Sequence, residues 1–441
     1  MPMPAPGSTQ TLARVVGVPG AVLMGLGSIL GTGIFVSIGI AAGVAGSSVV
    51  LAVALAAAVA AFNALSSAEL AASHPVSGGT YEYGYRYLNP TLGFVAGWTF
   101  LSAKAASAAT AALGLAGYLL NALGRSDPAA RILLALAAIA VLTALVAGGM
   151  QRSNRANAII VSLTLLALLA FVLAGIPSAL DGAAVHLRGI GAQDDGLPAL
   201  LQATALMFVA YTGYGRIATL GEEIRAPERS IPRAIVVTLL VTMLLYVAVT
   251  AVAIAASGAP RLAEATGGAA APLAVVARSF RAPAVAWLVA AGAVTAMLGV
   301  LLNLLLGLSR VLLAMARRGD MPGALARLDG TQRSPRRAVL CVGAVIAALT
   351  LTGSVRTTWS FSAFTVLIYY ALTNLAALRL PATARRFPPA VPATGLVSCL
   401  ALAFWVEPVI WIGGLALIGS GLVWHGIARR WRAGAPPASQ P

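Results

Sequence analysis

The chain has 441 residues, of which 59% are hydrophobic and only 10% charged. A soluble domain carries roughly 25% charged residues, so the composition excludes an ordinary soluble globule and places the chain in the membrane class. The formal net charge is +16, and how that charge is spread decides what it means.

About twelve apolar runs approach the ~20 residues that a helix needs to cross a bilayer. In chain order they cover 16–44, 47–71, 91–121, 131–150, 157–177, 199–221, 232–257, 283–316, 338–354, 359–379, 390–406 and 408–428. Glu407-Pro408 marks the turn between the last two. The first run is too long for a signal-peptide core, so no cleavable leader is read here. The two cysteines, Cys341 and Cys399, lie inside apolar runs and indicate no disulfide framework. The Pro/Ala/Ser-rich ends are expected to be disordered tails.

Arginines collect in alternate loops. One set holds Arg152 and Arg155, then Arg225, Arg229 and Arg233, then a dense group between Arg317 and Arg337, then Arg379, Arg385 and Arg386. The intervening loops are sparser. This is the positive-inside pattern; it puts both termini in the cytoplasm and the chain in the cell membrane. The basic balance is therefore a topology signal rather than a nucleic-acid surface. The Arg317–Arg337 loop, with MPGALARLDG, has room for a short interfacial helix.

Inside the first run stands GLGSILGTGIF, residues 25–35. A dinucleotide loop would need a preceding strand and an acidic residue about 20 positions on, and the next acid is Glu69. Gly27 and Gly31 fit a small-xxx-small packing face. Packing does not account for Gly31-Thr32-Gly33 in mid-span, where paired glycines weaken the helix. Free backbone groups at membrane depth are tolerated only inside protein or beside a cavity. The sixth run, MFVAYTGYGRIATLGEE, carries a matching interruption at Gly213 and Gly215. Interrupted spans at the first and sixth places point to a transporter with a midplane site.

These residues also carry a resemblance. GLGSILGTGIF resembles the first-helix signature of the amino acid–polyamine–organocation transporters. AYTGYGRIATLGEEIRAPERSIPRAI, from Ala210, resembles their sixth helix and the loop after it. HPVSGGTYEYGYRYLNP, from His74, is similar to their second cytoplasmic connection, and SRVLLAMARRGDMP, from Ser309, to the end of their eighth helix, in the family's order. The resemblance implies an all-α membrane protein with a LeuT-like fold. Ten helices in two inverted repeats of five would occupy 15–380, with helices 1 and 6 broken. Two peripheral helices would follow at 381–430, between tails at 1–14 and 431–441.

It also implies secondary transport of an amino acid by alternating access, with a proton or a sodium ion as coupling partner or with exchange. No cofactor, metal or nucleic acid is called for. Half-helix N-termini attract anions, so Thr32 and Gly33 are expected to hold the substrate carboxylate, with Gly31 allowing close approach. Carbonyls near Ile29, Leu30, Phe208 and Tyr211 would accept the ammonium. Selectivity would come from Tyr211, Thr212 and Tyr214 beside Gly213, from Ala108 and Ala111, and from Asn303.

Lys104 is the only lysine in the chain. It lies roughly 12 Å into the third span, where an ionisable group is costly and is by default a functional hypothesis. Several proton-coupled members of the family carry a lysine in the fifth helix; the matching position here is Thr164. Lys104 is expected to take over that role, with a structural lysine as the plain alternative. Arg216, Glu222, Glu223 and Glu69 are read as inner-gate charges. With Lys104 and Arg216 near the site and no carboxylate, neutral amino acids are favoured and anionic ones allowed. Amines and other organocations, a channel, and a membrane enzyme are the competing classes; the three scattered histidines offer an enzyme no constellation.

Overall fold

A computed structural model describes residues 16–75, 78–149, 154–188, 190, 196–218, 224–328 and 335–433. Among them the chain forms helices and no strand; its sole extended pairing is a parallel bridge between Val16 and Ile224. The termini and the acids Glu222 and Glu223 lie outside the described residues.

The first span is interrupted. Helix α1 (Val18–Ile29) stops, and Leu30 turns extended with φ −71° and ψ 105°. The chain resumes as a π-turn over Gly33–Ser37 that runs into α2 (Ile38–Ala45). Helix α3 (Val49–Ser73) follows, then a short α4 (Thr80–Tyr83) and a second π-turn at Gly84–Leu88. Helix α5 (Pro90–Ala122) is started by Pro90 and by the Asn89 side chain, which accepts from Leu92 N–H at 2.9 Å. Helix α6 (Pro128–Ala147) uses the same device with Asp127 and Ala129 N–H. Helix α7 (Asn154–His186) completes the first group.

The pattern of one interrupted span and four further spans then recurs. Helix α8 (Gly196–Tyr211) ends in a 3-10 turn at Thr212–Tyr214 before the short α9 (Gly215–Ala218). Helix α10 (Pro227–Ser257) is followed by α11 (Ala259–Ala269) and α12 (Pro272–Ala277), two short helices between the apolar runs 232–257 and 283–316. Then come α13 (Val285–Arg317), α14 (Arg336–Thr350) and α15 (Val355–Leu378). Helices α16 (Ala390–Ala403) and α17 (Pro408–Ala433) close the chain, with Pro408 starting the last as the turn signal indicates. The Arg317–Arg337 loop holds only a 3-10 turn, Gly323–Ala326, among its described residues.

Nine stretches among the described residues are long and apolar enough to cross a membrane; the first, Val18–Ser73, contains both the interrupted span and α3. Helices α14 and α16, at 15 and 14 residues, are shorter than a standard span. Leu133, Leu173, Leu180, Leu244 and Val409 stay exposed although large and apolar. In a multi-pass membrane protein that surface faces lipid rather than water. Helix α5 packs along α13 and α15, and α10 packs along α3 and α7. Helices α1 and α8 lie inside this frame, α1 against α10 and α8 against α3. Helix α16 rests on α15 and α3, and α17 on α15 and α5.

Candidate functional site

The two interruptions meet. A side chain at Gly33 would come within 2.6 Å of Ala210 Cβ and 2.8 Å of its Cα. A side chain at Gly213 would strike the main chain of Ser28 and come within 2.6 Å of Ile29 Cγ1. Each break is therefore seated on the backbone of the other span, and only glycine permits that approach.

Beyond Leu30 the helical ladder restarts at the Gly31 carbonyl, which accepts from Ile34 and Phe35 N–H, each at 3.1 Å. The main-chain N–H groups at the head of such a restart have no intrahelical acceptor. The Thr32 hydroxyl is buried and finds no hydrogen-bond partner among the described residues. Thr32 and Gly33 border a central cavity of about 290 Å³. That is near the lower end of the ~300–1,000 Å³ typical of ligand sites and suits a small solute.

Of the residues singled out from the sequence, Ile29, Thr32, Gly33, Thr212 and Gly213 line this cavity, as do Lys104, Asn303 and Arg216. Leu30, Ala108, Ala111, Phe208, Tyr211 and Tyr214 are buried in packing around it instead. The Phe208 ring meets Tyr370 edge-on at 5.6 Å. Tyr211 donates its hydroxyl proton to the Val53 carbonyl at 3.2 Å. The Ile29 carbonyl already accepts from Tyr246 Oη at 2.8 Å, leaving one lone pair for a ligand. Gly31 is buried behind the break and Thr164 is buried in α7, where its hydroxyl donates to Ile160 O at 2.7 Å.

Lys104 reaches across from α5 to the second break. Its amine donates to Thr212 Oγ1 at 2.8 Å, and Thr212 passes a proton on to the Val209 carbonyl at 2.8 Å. Tyr370 of α15 donates to the Thr212 carbonyl at 3.1 Å. The scaffold helices α5 and α15 thus hold the sixth-span turn from two sides. Glu69 is not brought to the cavity: its carboxylate accepts from the main-chain N–H groups of Arg386 and of Phe387, the latter at 3.1 Å. It ties α3 to the loop before α16.

Several cavity residues were not foreseen. Phe100 and Ser107 line it with Lys104, and their spacing is that of one helix face. Arg310 lines it with Asn303 and Gly307 by the same periodicity on α13. Both could have been found by extending the helical spacing from the residues already chosen. Trp359, Tyr369 and Tyr370 of α15 also line it, and no signal in the tenth run marks them. A larger, shallower hollow of about 590 Å³ lies at the end of α2 and the starts of α8 and α15, bordered by Gly43, Gln202 and Arg356. It contains neither break.

An all-helical membrane protein with two spans broken against each other around a small central cavity defines the class of secondary transporters. The chain belongs to the amino acid permease family, whose model matches residues 20–427. Its fold is the LeuT-like one of that family, and it is a membrane transporter rather than an enzyme. It is similar to an uncharacterized transporter of Mycobacterium tuberculosis, 42% identical over 95% of this chain and 92% of the relative. It is also similar to a branched-chain amino acid permease of Bacillus subtilis, 29% identical over 77% of this chain and 75% of the relative. A methylthioribose transporter of the same organism is 28% identical over 92% and 93%.

Proposed function

We propose that the protein carries a zwitterionic amino acid across the cell membrane by alternating access, with both termini in the cytoplasm. The observation that carries this reading is the seating of Gly33 and Gly213 on each other's spans, with the buried Thr32 hydroxyl beside them. The substrate carboxylate sits on the N–H groups at Thr32 and Gly33, and the ammonium on carbonyls at the ends of α1 and α8. Residues 15–380 form the transport core and 381–430 its peripheral helices.

Neutral and acidic amino acids are accepted before cationic ones. No carboxylate lines the cavity among the described residues, while Lys104, Arg216 and Arg310 do; a second positive charge on the substrate would meet no partner. A branched-chain permease among the relatives fits a neutral substrate. Transport is coupled to a proton or to exchange, and Lys104 is the titratable group placed to carry the proton.

Counterflow in liposomes tests the reading. Vesicles containing the purified protein and preloaded with unlabelled amino acids are expected to take up labelled leucine, glutamine or glutamate faster than empty ones, with saturation. Uptake that rises linearly and ignores the preload would mark a pore and end the carrier reading.

A further inference from the structure

Lys104 is a half-buried ammonium in the cavity wall with one hydrogen-bond partner among the described residues, the neutral Thr212 hydroxyl. An ammonium has three N–H donors and no acceptor. Leaving its remaining donors without acceptors away from bulk water is costly unless something pairs them. Thr212 takes one of those N–H groups and gives its own proton to Val209 O. The neighbouring polar groups are engaged with one another. Ser107 is bonded to Ser362 at 2.7 Å, and Tyr370 gives its proton to the Thr212 carbonyl. Asn303 brings a neutral carboxamide, one acceptor and one donor group, to the cavity lining. The acceptors that line the hollow are neutral, and no carboxylate among the described residues balances the ammonium's charge.

The main-chain groups at the first break account for a substrate's carboxylate without Lys104. The lysine belongs to the other wall, on the α5 face with Phe100 and Ser107, against the second break. With the ammonium held on main-chain carbonyls, the part of the substrate left to extend along the α5 face toward Lys104 is its side chain.

We infer that Lys104 determines specificity by reading the substrate side chain, and that the preferred substrates are amino acids whose side chain ends in an acceptor. Carboxylate comes first and carboxamide second: glutamate and aspartate, then glutamine and asparagine. The inference rests on the amino acid reading above and narrows it. The acceptor completes the coordination of the ammonium, and the Phe100 ring covers the methylene stem. Leucine fits the same space but leaves the ammonium as it was. Arginine and lysine bring a second cation to a wall that already has one.

The test is a thermal-shift titration of the purified full chain with L-glutamate, L-glutamine, L-leucine and L-arginine. For the wild type, glutamate is expected to bind most tightly, glutamine next, then leucine, with arginine weakest. Hydrogen bonds to charged groups contribute enough to separate glutamate from leucine by roughly 10- to 100-fold. In Lys104→Met, and in Lys104→Gln should the first not fold, the glutamate-to-leucine affinity ratio is expected to fall by that same factor. Leucine binding more tightly than glutamate in the wild type would overturn the inference while leaving the transporter reading in place. So would an equal loss of glutamate and leucine in the variants, which would make Lys104 a ligand of the shared α-carboxylate or a structural group. If none of the four amino acids binds and none supports counterflow, the transporter reading itself has failed and the inference falls with it.

Discussion

A buried charge and a half-buried one are treated in opposite ways in this protein. Asp320, just past α13, is completely buried. Tyr81 and Tyr85 donate to its Oδ2 at 2.7 and 2.6 Å, and His425 of α17 stands 3.5 Å from Oδ1. Its main-chain carbonyl accepts from Trp424 Nε1 at 2.9 Å, and its N–H donates to Met315 O at 2.8 Å. Arg318 lies over both tyrosine rings and pairs with Glu82 at 2.7 Å. Burial opposes the charge on Arg318, but the Glu82 hydrogen bond and the tyrosines outweigh it and hold its pKa above the usual value. Lys104 has one neutral partner and an open cavity. The first charge is satisfied by the fold and fastens α4, α13 and α17 together. The second has a single neutral partner among the described residues and faces the cavity. Burial alone does not distinguish a structural charge from a functional one; the state of its partners does.

The comparison is broken most severely at Asp320. Asp320→Leu strips two tyrosine hydroxyls of their acceptor and removes the carboxylate beside His425, and removing one member of a buried charged cluster costs roughly 3–5 kcal/mol. A large fall in melting temperature in detergent is expected, whatever amino acid is present; an unchanged melting temperature would show that the cluster is not structural. Gly33→Val acts on the other side of the comparison. Its side chain collides with Ala210, so counterflow should drop to background while the folded protein can still be purified. Retained counterflow would mean that the breaks need not touch.

Lys104→Met is expected to have a graded effect. If the proton enters through Lys104, wild-type uptake falls as external pH rises, and the variant's uptake should vary little with pH. A variant with the wild-type pH profile removes Lys104 from coupling. Arg281→Ala should do least. Its partner Asp181 is 2.9 Å away, but both side chains are about 70% exposed (72% and 67%), and such pairs contribute about 0–1 kcal/mol. A fall in stability approaching that of Asp320→Leu would contradict the distinction drawn here.

Much of the fold could be read locally. Pro90, Asp127 and Glu407-Pro408 mark helix starts through chemistry confined to a few residues. The paired glycines at 31 and 33 and at 213 and 215 mark the breaks because backbone freedom is a local property. That each break rests on the other is tertiary information, and no spacing discloses it. The same limit hid the aromatic wall from α15 and the true partners of Glu69, which lie more than 300 positions along the chain. Helices α11 and α12 were missed because short helices in a connection carry no span-length apolar run. Asn303 and Lys104 were legible as polar groups at membrane depth. Phe100, Ser107 and Arg310 were within reach of the same reasoning carried one turn further. Glu222 and Glu223 lie outside the described residues, so their reading as gate charges stays a proposal.

Amide hydrogen exchange of the purified protein addresses the central claim most directly. It is measured with and without whichever of leucine, glutamine or glutamate supports counterflow. A zwitterion held by both breaks should slow exchange together in the peptides spanning 29–35 and 211–215. Binding that leaves those two segments exchanging at their ligand-free rates would contradict it.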